Sequence, residues 1–220
     1  MTAMLETKNL GISFGGLKAV DELTMTIEKG QLYGLIGPNG AGKTTFIKLL
    51  TRLYDPTEGE ILFNGVNIKK IEYEQYMSLF STVYQDYKLF SFSLKDNIAL
   101  NLPVDDKRIQ TVLERVGLSE KLRTLPKGMD TMLYKNFAED GFEPSGGEGQ
   151  KIALARALYR DAPFVILDEP TAAWDPRAEY EMYRNFNEMV AGKTAVYISH
   201  RMSSTKFCDK VAVFTKGKLV

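Results

Sequence analysis

An α/β fold is predicted, with a mostly parallel core sheet, an N-terminal antiparallel β portion and an inserted helical subdomain. Three observations predict it. Residues 164–167 (Phe-Val-Ile-Leu) and 195–198 (Ala-Val-Tyr-Ile) are continuous apolar runs, as in strands buried on both faces. A glycine-rich loop at residues 37–45 separates the apolar run 31–36 from an apolar stripe at helical spacing, 46–50. Residues 4–36, by contrast, alternate apolar and polar positions, the mark of half-buried antiparallel strands.

The elements follow in order. Ile12 and Phe14, then Leu23, Met25 and Ile27, suggest antiparallel strands that turn at Gly15-Gly16 and Lys29-Gly30. The helix after the glycine loop runs to about Tyr54. Asp55-Pro56-Thr57-Glu58-Gly59 reads as a turn, and residues 60–63 as a strand ending in the hairpin signal Asn64-Gly65. A short helix at 72–80 leads to a strand at 81–84, which runs into Gln85. From 91 to 135 the pattern is helical and more polar, carried by Leu94, Ile98, Ile109, Val112, Leu113, Val116 and Leu122. A strong helix is expected at 147–160 and a further helix at 176–190, and a hairpin begins at the end with 211–214 and 219–220. The 220 residues suit a single domain. Its parts are residues 1–36 with 58–68 (antiparallel β), 37–85 with 150–220 (core) and 86–149 (helical subdomain).

Composition excludes several classes. Lys plus Arg and Asp plus Glu each number 28, so the formal charge is zero and gives no footprint for nucleic acid or an anionic membrane. Cys208 is the only cysteine, so there is no disulfide framework, and a reducing, cytoplasmic setting is expected. No apolar run approaches the roughly 18 residues of a membrane helix. Any membrane role therefore comes through a partner chain or a further segment.

The loop Gly37-Pro38-Asn39-Gly40-Ala41-Gly42-Lys43-Thr44-Thr45 fits the phosphate-binding pattern G-x-x-x-x-G-K-[ST]. Its glycines free backbone N–H groups for phosphate oxygens, and the helix N-terminus adds partial positive charge. Lys43 reaches the β- and γ-phosphates, and Thr44 holds Mg²⁺. The bland alternative, a glycine turn before a helix, explains Lys43 badly, because a cation in the first turn faces the wrong end of the helix dipole. The core is therefore that of a P-loop nucleoside triphosphatase.

Asp168-Glu169 puts two carboxylates at the C-terminal end of a buried strand, the edge where open α/β sheets bind ligands. Asp168 would hold Mg²⁺ through its waters, and Glu169 would polarise the attacking water. A solvated strand end is the competing reading. Ser145-Gly146-Gly147-Glu148 opens the 147–160 helix as a capping box. The box explains Ser145 and Glu148 but not two successive glycines, which weaken a helix start unless an anion comes close. A second phosphate-facing surface follows. One chain cannot easily bring both surfaces to one phosphate, which points to a second copy.

With these motifs in this order, the chain resembles the nucleotide-binding (ATPase) domain of ABC transporters. The turn at 145–150 is similar to that family's signature, usually Leu-Ser-Gly-Gly-Gln. The resemblance implies a head-to-tail dimer, with ATP between the phosphate loop of one copy and the signature of the other. It implies an adenine-stacking role for Phe14, against which stands core packing beside Ile12. Gln85 becomes the residue that senses Mg²⁺ and water and couples to a membrane-spanning domain, and Asp175 lies in the loop that crosses the dimer. Asp175 equally suits a helix N-cap before Pro176. His200, the only histidine, becomes the γ-phosphate switch. Glu139-Asp140-Gly141 stands where exporters carry a short acidic loop.

Two residues depart from the family pattern, Pro144 in the signature and Trp174 in the dimer-crossing loop, where leucine is usual. Residues 1–45 resemble branched-chain amino-acid importer ATPase subunits, whereas residues 46–220 resemble an exporter-type domain. A recombined or engineered domain with a seam near 43–50 is the resulting expectation. Two alternatives to a transport ATPase stand beside it: an ATP-binding module with weak dimerisation and little turnover, and a soluble relative acting on nucleic acid or ribosomes, which the neutral charge disfavours.

Overall fold

The computed structural model describes residues 3–174, 179–180, 182, 189–190, 192–200 and 202–220. They form two compact units, one of residues 1–80, 163–169 and 190–220, the other of residues 81–162 and 170–189.

The first unit carries two sheets. Strands β1 (Ala3–Phe14) and β2 (Leu17–Glu28) pair antiparallel across Gly15-Gly16, both at positive φ. β4 (Glu58–Phe63) joins the other edge of β1, and β5 (Val66–Asn67) folds back on β4. Asn64 and Gly65, with φ of 49° and 78°, make the two-residue turn between β4 and β5, as the Asn-Gly pair predicts. The order is β2-β1-β4-β5.

The second sheet is built on β3 (Leu32–Ile36), which lies parallel between β8 (Thr194–Ser199) and β9 (Lys210–Thr215). β7 (Phe164–Asp168) lies parallel on the far side of β8, and β10 (Lys218–Leu219) pairs antiparallel with β9. β7 and β8 are buried along their whole length, which is why they read as unbroken apolar runs. The Phe164 amide donates to the Leu79 carbonyl at 3.0 Å, beside the start of β6 (Phe80–Val83).

Helix α1 (Lys43–Leu50) is shorter than expected, because residues 51–54 leave the helical path with Arg52 at positive φ. Its Phe46, Ile47, Leu49 and Leu50 are fully buried, and Phe46 packs on Phe214 of β9 with ring centroids 5.7 Å apart. Helix α2 (Tyr73–Ser78) is tied to it by the Tyr76 hydroxyl, which donates to the Leu50 carbonyl at 2.7 Å. Phe63, Tyr76, Phe80 and Phe164 close the apolar centre of this unit as one aromatic cluster.

The second unit is helical. The expected stretch at 91–135 resolves into α3 (Leu94–Ala99), α4 (Asp106–Arg115) and α5 (Ser119–Thr124). Helix α6 (Gly146–Arg160) packs on α3 and α4 through Ile152 and Ala155, with Ile98, Ile109 and Leu113 buried beside them. The boundary drawn from sequence at 149/150 cuts through α6, which is one continuous helix grouped whole with this unit. The expected helix at 176–190 lies mostly outside the described residues.

Candidate functional site

Parallel strands place their C-terminal ends on one edge of a sheet, and three chemistry-bearing segments meet there. Register pairs Ile36 with Ser199 and Asp168 with Ile198, so the phosphate loop, Asp168-Glu169 and His200 leave the sheet side by side. All of them belong to the first unit.

The loop is shaped by its glycines. Gly42 caps α1 at φ 103°, and a Cβ there would lie 2.3 Å from the Ala19 carbonyl oxygen. Gly37 meets the Phe214 carbonyl oxygen at the same distance, so β2 and β9 crowd the loop where a side chain would stand. Gly217 donates its N–H to the Ala41 carbonyl at 2.9 Å and buttresses the loop from the β9–β10 turn. Pro38, Asn39, Gly40 and Thr45 complete the loop; Asn39 and Gly40 are exposed.

Lys43 curls back over this loop. Its Nζ donates to the carbonyls of Gly37 at 2.6 Å and Pro38 at 3.0 Å, and the residue is 6% exposed. Burial pushes its pKa below the usual lysine value, against the opposing pull of Glu169 and then Asp168. The two carboxylates do not offset the burial of this ammonium, the condition that an anionic ligand relieves.

Thr44 donates its hydroxyl to Asp168 Oδ2 at 3.1 Å, and Asp168 is 2% exposed. A hydroxyl and a carboxylate side by side are hard oxygen donors, the type that suits Mg²⁺ with most of its waters and substrate phosphates retained. Among the described residues no cluster of three or more His, Cys, Asp or Glu could hold a metal by itself. Two protein oxygens of this kind fit an ion that arrives with phosphate.

Glu169 sits at φ 49°, in the left-handed region that is unusual for a residue with a side chain and clusters at functional positions. Its amide donates to the Ile198 carbonyl at 3.1 Å, and its Oε1 lies 3.0 Å from His200 Nδ1. An ionised carboxylate only accepts, so Nδ1–H is the donor of this pair. Phe14 is exposed at the end of β1, with its ring 5.4 Å from that of Tyr54. The alternative of core packing beside Ile12 does not hold, since Ile12 is buried and Phe14 is 46% exposed.

The second unit carries the other candidates. Gln85 is exposed in the turn after β6. Ser145 caps α6: its Oγ accepts from the Glu148 amide at 3.3 Å, and Glu148 Oε2 accepts from the Ser145 amide at 2.8 Å. Lys121 adds an ion pair to Glu148 at 3.2 Å. Burial pushes the Glu148 carboxyl up, but the bonds from Ser145 and Lys121 outweigh it and hold its pKa below the usual range. Pro144 precedes the cap and lies outside the helix, so its missing N–H costs no helical bond.

Ser145, Gly146, Gly147 and Glu148 line a cavity of about 510 Å³ together with Lys151, Ala173 and Trp174. The Lys151 ammonium stands 5.2 Å above the Trp174 ring. The indole Nε1 is buried without a hydrogen-bond partner among the described residues. Asp175 lies outside the described residues. Two residues at this surface, Lys151 and Tyr87, escape the sequence reading. The signal for Tyr87 is Gly149, a glycine inside a helix with no evident reason.

A family model described as "ABC transporter" matches residues 20–172. The chain is 40% identical over 210 residues to "Subtilin transport ATP-binding protein SpaT" of Bacillus subtilis, covering 93% of this chain and 34% of that protein. It is 34% identical over 218 residues to "ATP-dependent lipid A-core flippase" of Burkholderia orbicola (strain AU 1054), covering 98% of this chain and 36% of that one. The fold matches "Structure of a bacterial Atm1-family ABC exporter with ATP bound" with a TM-score of 0.91 and 28% identity, over all of this chain and 38% of that chain. The chain thus spans about a third of the length of the curated relatives it matches. The flippase match runs through residues 43–50, and the apolar side chains of α1 are buried there, so the expected seam gains no support from either comparison or packing. On the family match and these relatives, the chain belongs to the ABC transporter family, as a nucleotide-binding (ATPase) domain.

Proposed function

We propose that this chain binds Mg-ATP and hydrolyses it to ADP and phosphate as a head-to-tail dimer, as the motor domain of an ABC transporter. The meeting of Lys43, the Thr44–Asp168 pair and the Glu169–His200 pair at one sheet edge carries the reading. Phosphoryl transfer needs positioning and charge stabilisation more than covalent help. Lys43 leaves the carbonyls of Gly37 and Pro38 for the β- and γ-phosphates, and the loop N–H groups at 37–45 wrap them. Thr44 and Asp168 would hold Mg²⁺, which when bound would neutralise phosphate charge. Glu169 orients a water for in-line attack on the γ-phosphorus and takes up its proton. His200 holds the Glu169 carboxylate before nucleotide arrives and contacts the γ-phosphate afterwards. Phe14 offers its exposed face to adenine.

Ser145, Gly146, Gly147 and Glu148 of a second copy, with Asp175, complete the site. Their cavity is walled by the second unit's own residues, with neither Lys43 nor Asp168 among them, which is what a donor surface for another copy's nucleotide requires. A membrane-spanning domain or subunit is the other proposed partner, and through it the chain works at the cytoplasmic face of a membrane. The relatives' greater length supports this, as does the exposed, stacked pair Phe90 and Phe92.

The Glu169→Gln variant tests the reading. It keeps ATP binding, loses at least about 10²-fold in phosphate release, and accumulates as an ATP-loaded dimer on gel filtration. In the parent chain, phosphate release per monomer rises with protein concentration. Unchanged turnover in the variant removes Glu169 from the mechanism. A second reading, an ATP-binding module that turns over little, is favoured by the bulky Trp174 at the signature cavity. It predicts ATP binding with no phosphate release at any concentration.

A further inference from the structure

Gly149 is the fourth residue of α6, buried, and not in the positive-φ conformation that would call for glycine. A glycine inside a helix is less favourable than alanine. What requires it is Tyr87. A Cβ on Gly149 would lie 2.7 Å from the Tyr87 hydroxyl and 3.3 and 3.4 Å from two of its ring carbons. The missing methyl lets that hydroxyl reach the Gly146 carbonyl, to which it donates at 3.0 Å. Burial raises the Tyr87 pKa, so the hydroxyl stays a donor at neutral pH.

Tyr87 comes from a clamped loop. The buried Asn97 side chain accepts from the Phe90 amide at 2.9 Å and donates to the carbonyls of Phe90 and Ser93. Arg156 of α6 donates to the carbonyls of Lys88 and Asn97. The chain that follows Gln85 is therefore fixed against the same helix that Tyr87 reaches.

The peptide plane supplies the consequence. In a trans peptide the carbonyl and the next N–H point in opposite directions, so fixing the Gly146 carbonyl fixes the Gly147 N–H. That N–H belongs to the first helical turn, where no intrahelical carbonyl takes it. Gly146 and Gly147 both line the signature cavity.

We infer that Tyr87 is a positioning residue of the signature turn: its hydroxyl orients the Gly146–Gly147 peptide toward the nucleotide phosphate of a second copy, and it ties the Gln85 loop to that turn. The inference rests on the dimer reading above. Gly149 is the space that makes it possible.

The experiment compares Tyr87→Phe, Gly149→Ala and the double variant, each in the Glu169→Gln background, which holds the ATP-loaded dimer. Tyr87→Phe is expected to weaken ATP-driven dimerisation about 10-fold, the loss of one net hydrogen bond. ATP affinity of the monomer, measured in dilute solution, should not change. Gly149→Ala should weaken dimerisation at least as much, yet cost less when combined with Tyr87→Phe, where the hydroxyl it collides with is gone. Thermal unfolding confirms that each variant folds; should Gly149→Ala not fold, Tyr87→Phe alone decides. A parent that dimerises with ATP while Tyr87→Phe matches it overturns this inference only. Equal cost of Gly149→Ala with and without Tyr87→Phe does the same. A parent that never dimerises with ATP overturns the dimer reading, and this one with it.

Discussion

Lys43 is a buried cation that donates to two neutral carbonyls, and the loop around it is shaped by Gly37 and Gly42, where a Cβ would collide with backbone oxygens. Such a site holds its charge ready at a cost that phosphate removes. Cys208 shows the opposite use of burial. Its Sγ would lie 2.8 Å from a Cβ on Gly34, so β3 gives up a side chain to seat it. Burial first, then Asp209, pushes the thiol from its usual 9.0 up to about 11. A folded pKa above the unfolded one means a contribution fully present below pH 9 and lost as pH rises toward 11. Denaturant midpoints of the parent and of Cys208→Ala are therefore expected to converge across that window. Native Cys208 should also alkylate slowly at neutral pH and quickly in denaturant, because the thiolate is the nucleophile.

At the scale of the element, α6 shows how one helix start serves two ends. The Ser145–Glu148 box satisfies first-turn donors, while the two glycines leave the approach to the remaining N–H groups open. Ser145→Ala is expected to lower unfolding free energy by about 1 kcal/mol, read from denaturant unfolding. The box also depends on an ionised Glu148. Its pKa is held below the usual 4.5, so this support is present above that pH and fades as pH falls through the lowered value. Helix α1 makes the complementary case. Its apolar side is buried through Phe46, Ile47, Leu49 and Leu50, which anchors the phosphate loop to the sheet that also carries Asp168 and His200.

For the whole molecule, balanced charge is the simplest constraint. With 28 basic and 28 acidic residues, no long-range field gathers nucleic acid. Gel-shift assays with duplex DNA or RNA at low salt should show no retained complex, and a salt-sensitive complex would revive the soluble nucleic-acid reading. Among the described residues no helix is long and apolar enough to cross a membrane. In the proposed function, coupling to transport passes through exposed surfaces such as Phe90 and Phe92 to another part of a longer assembly.

The phosphate loop, the Asp168-Glu169 pair and the capped glycine pair were legible in sequence because each is a local pattern set by backbone chemistry. A β-strand, a glycine turn and a helix cap depend on neighbours a few residues away. The parallel core and the antiparallel N-terminal sheet were legible for the same reason, since burial on one face or two fixes the period of apolar residues. Tertiary structure alone decided the rest. Only strand register could bring His200 to Glu169 across 31 residues, and Thr44 to Asp168 across 124. Only packing could expose Phe14, place Lys151 above Trp174, and explain Gly149 through a tyrosine 62 positions earlier in the chain. The space a side chain needs is set by neighbours distant in sequence, and no local pattern records them.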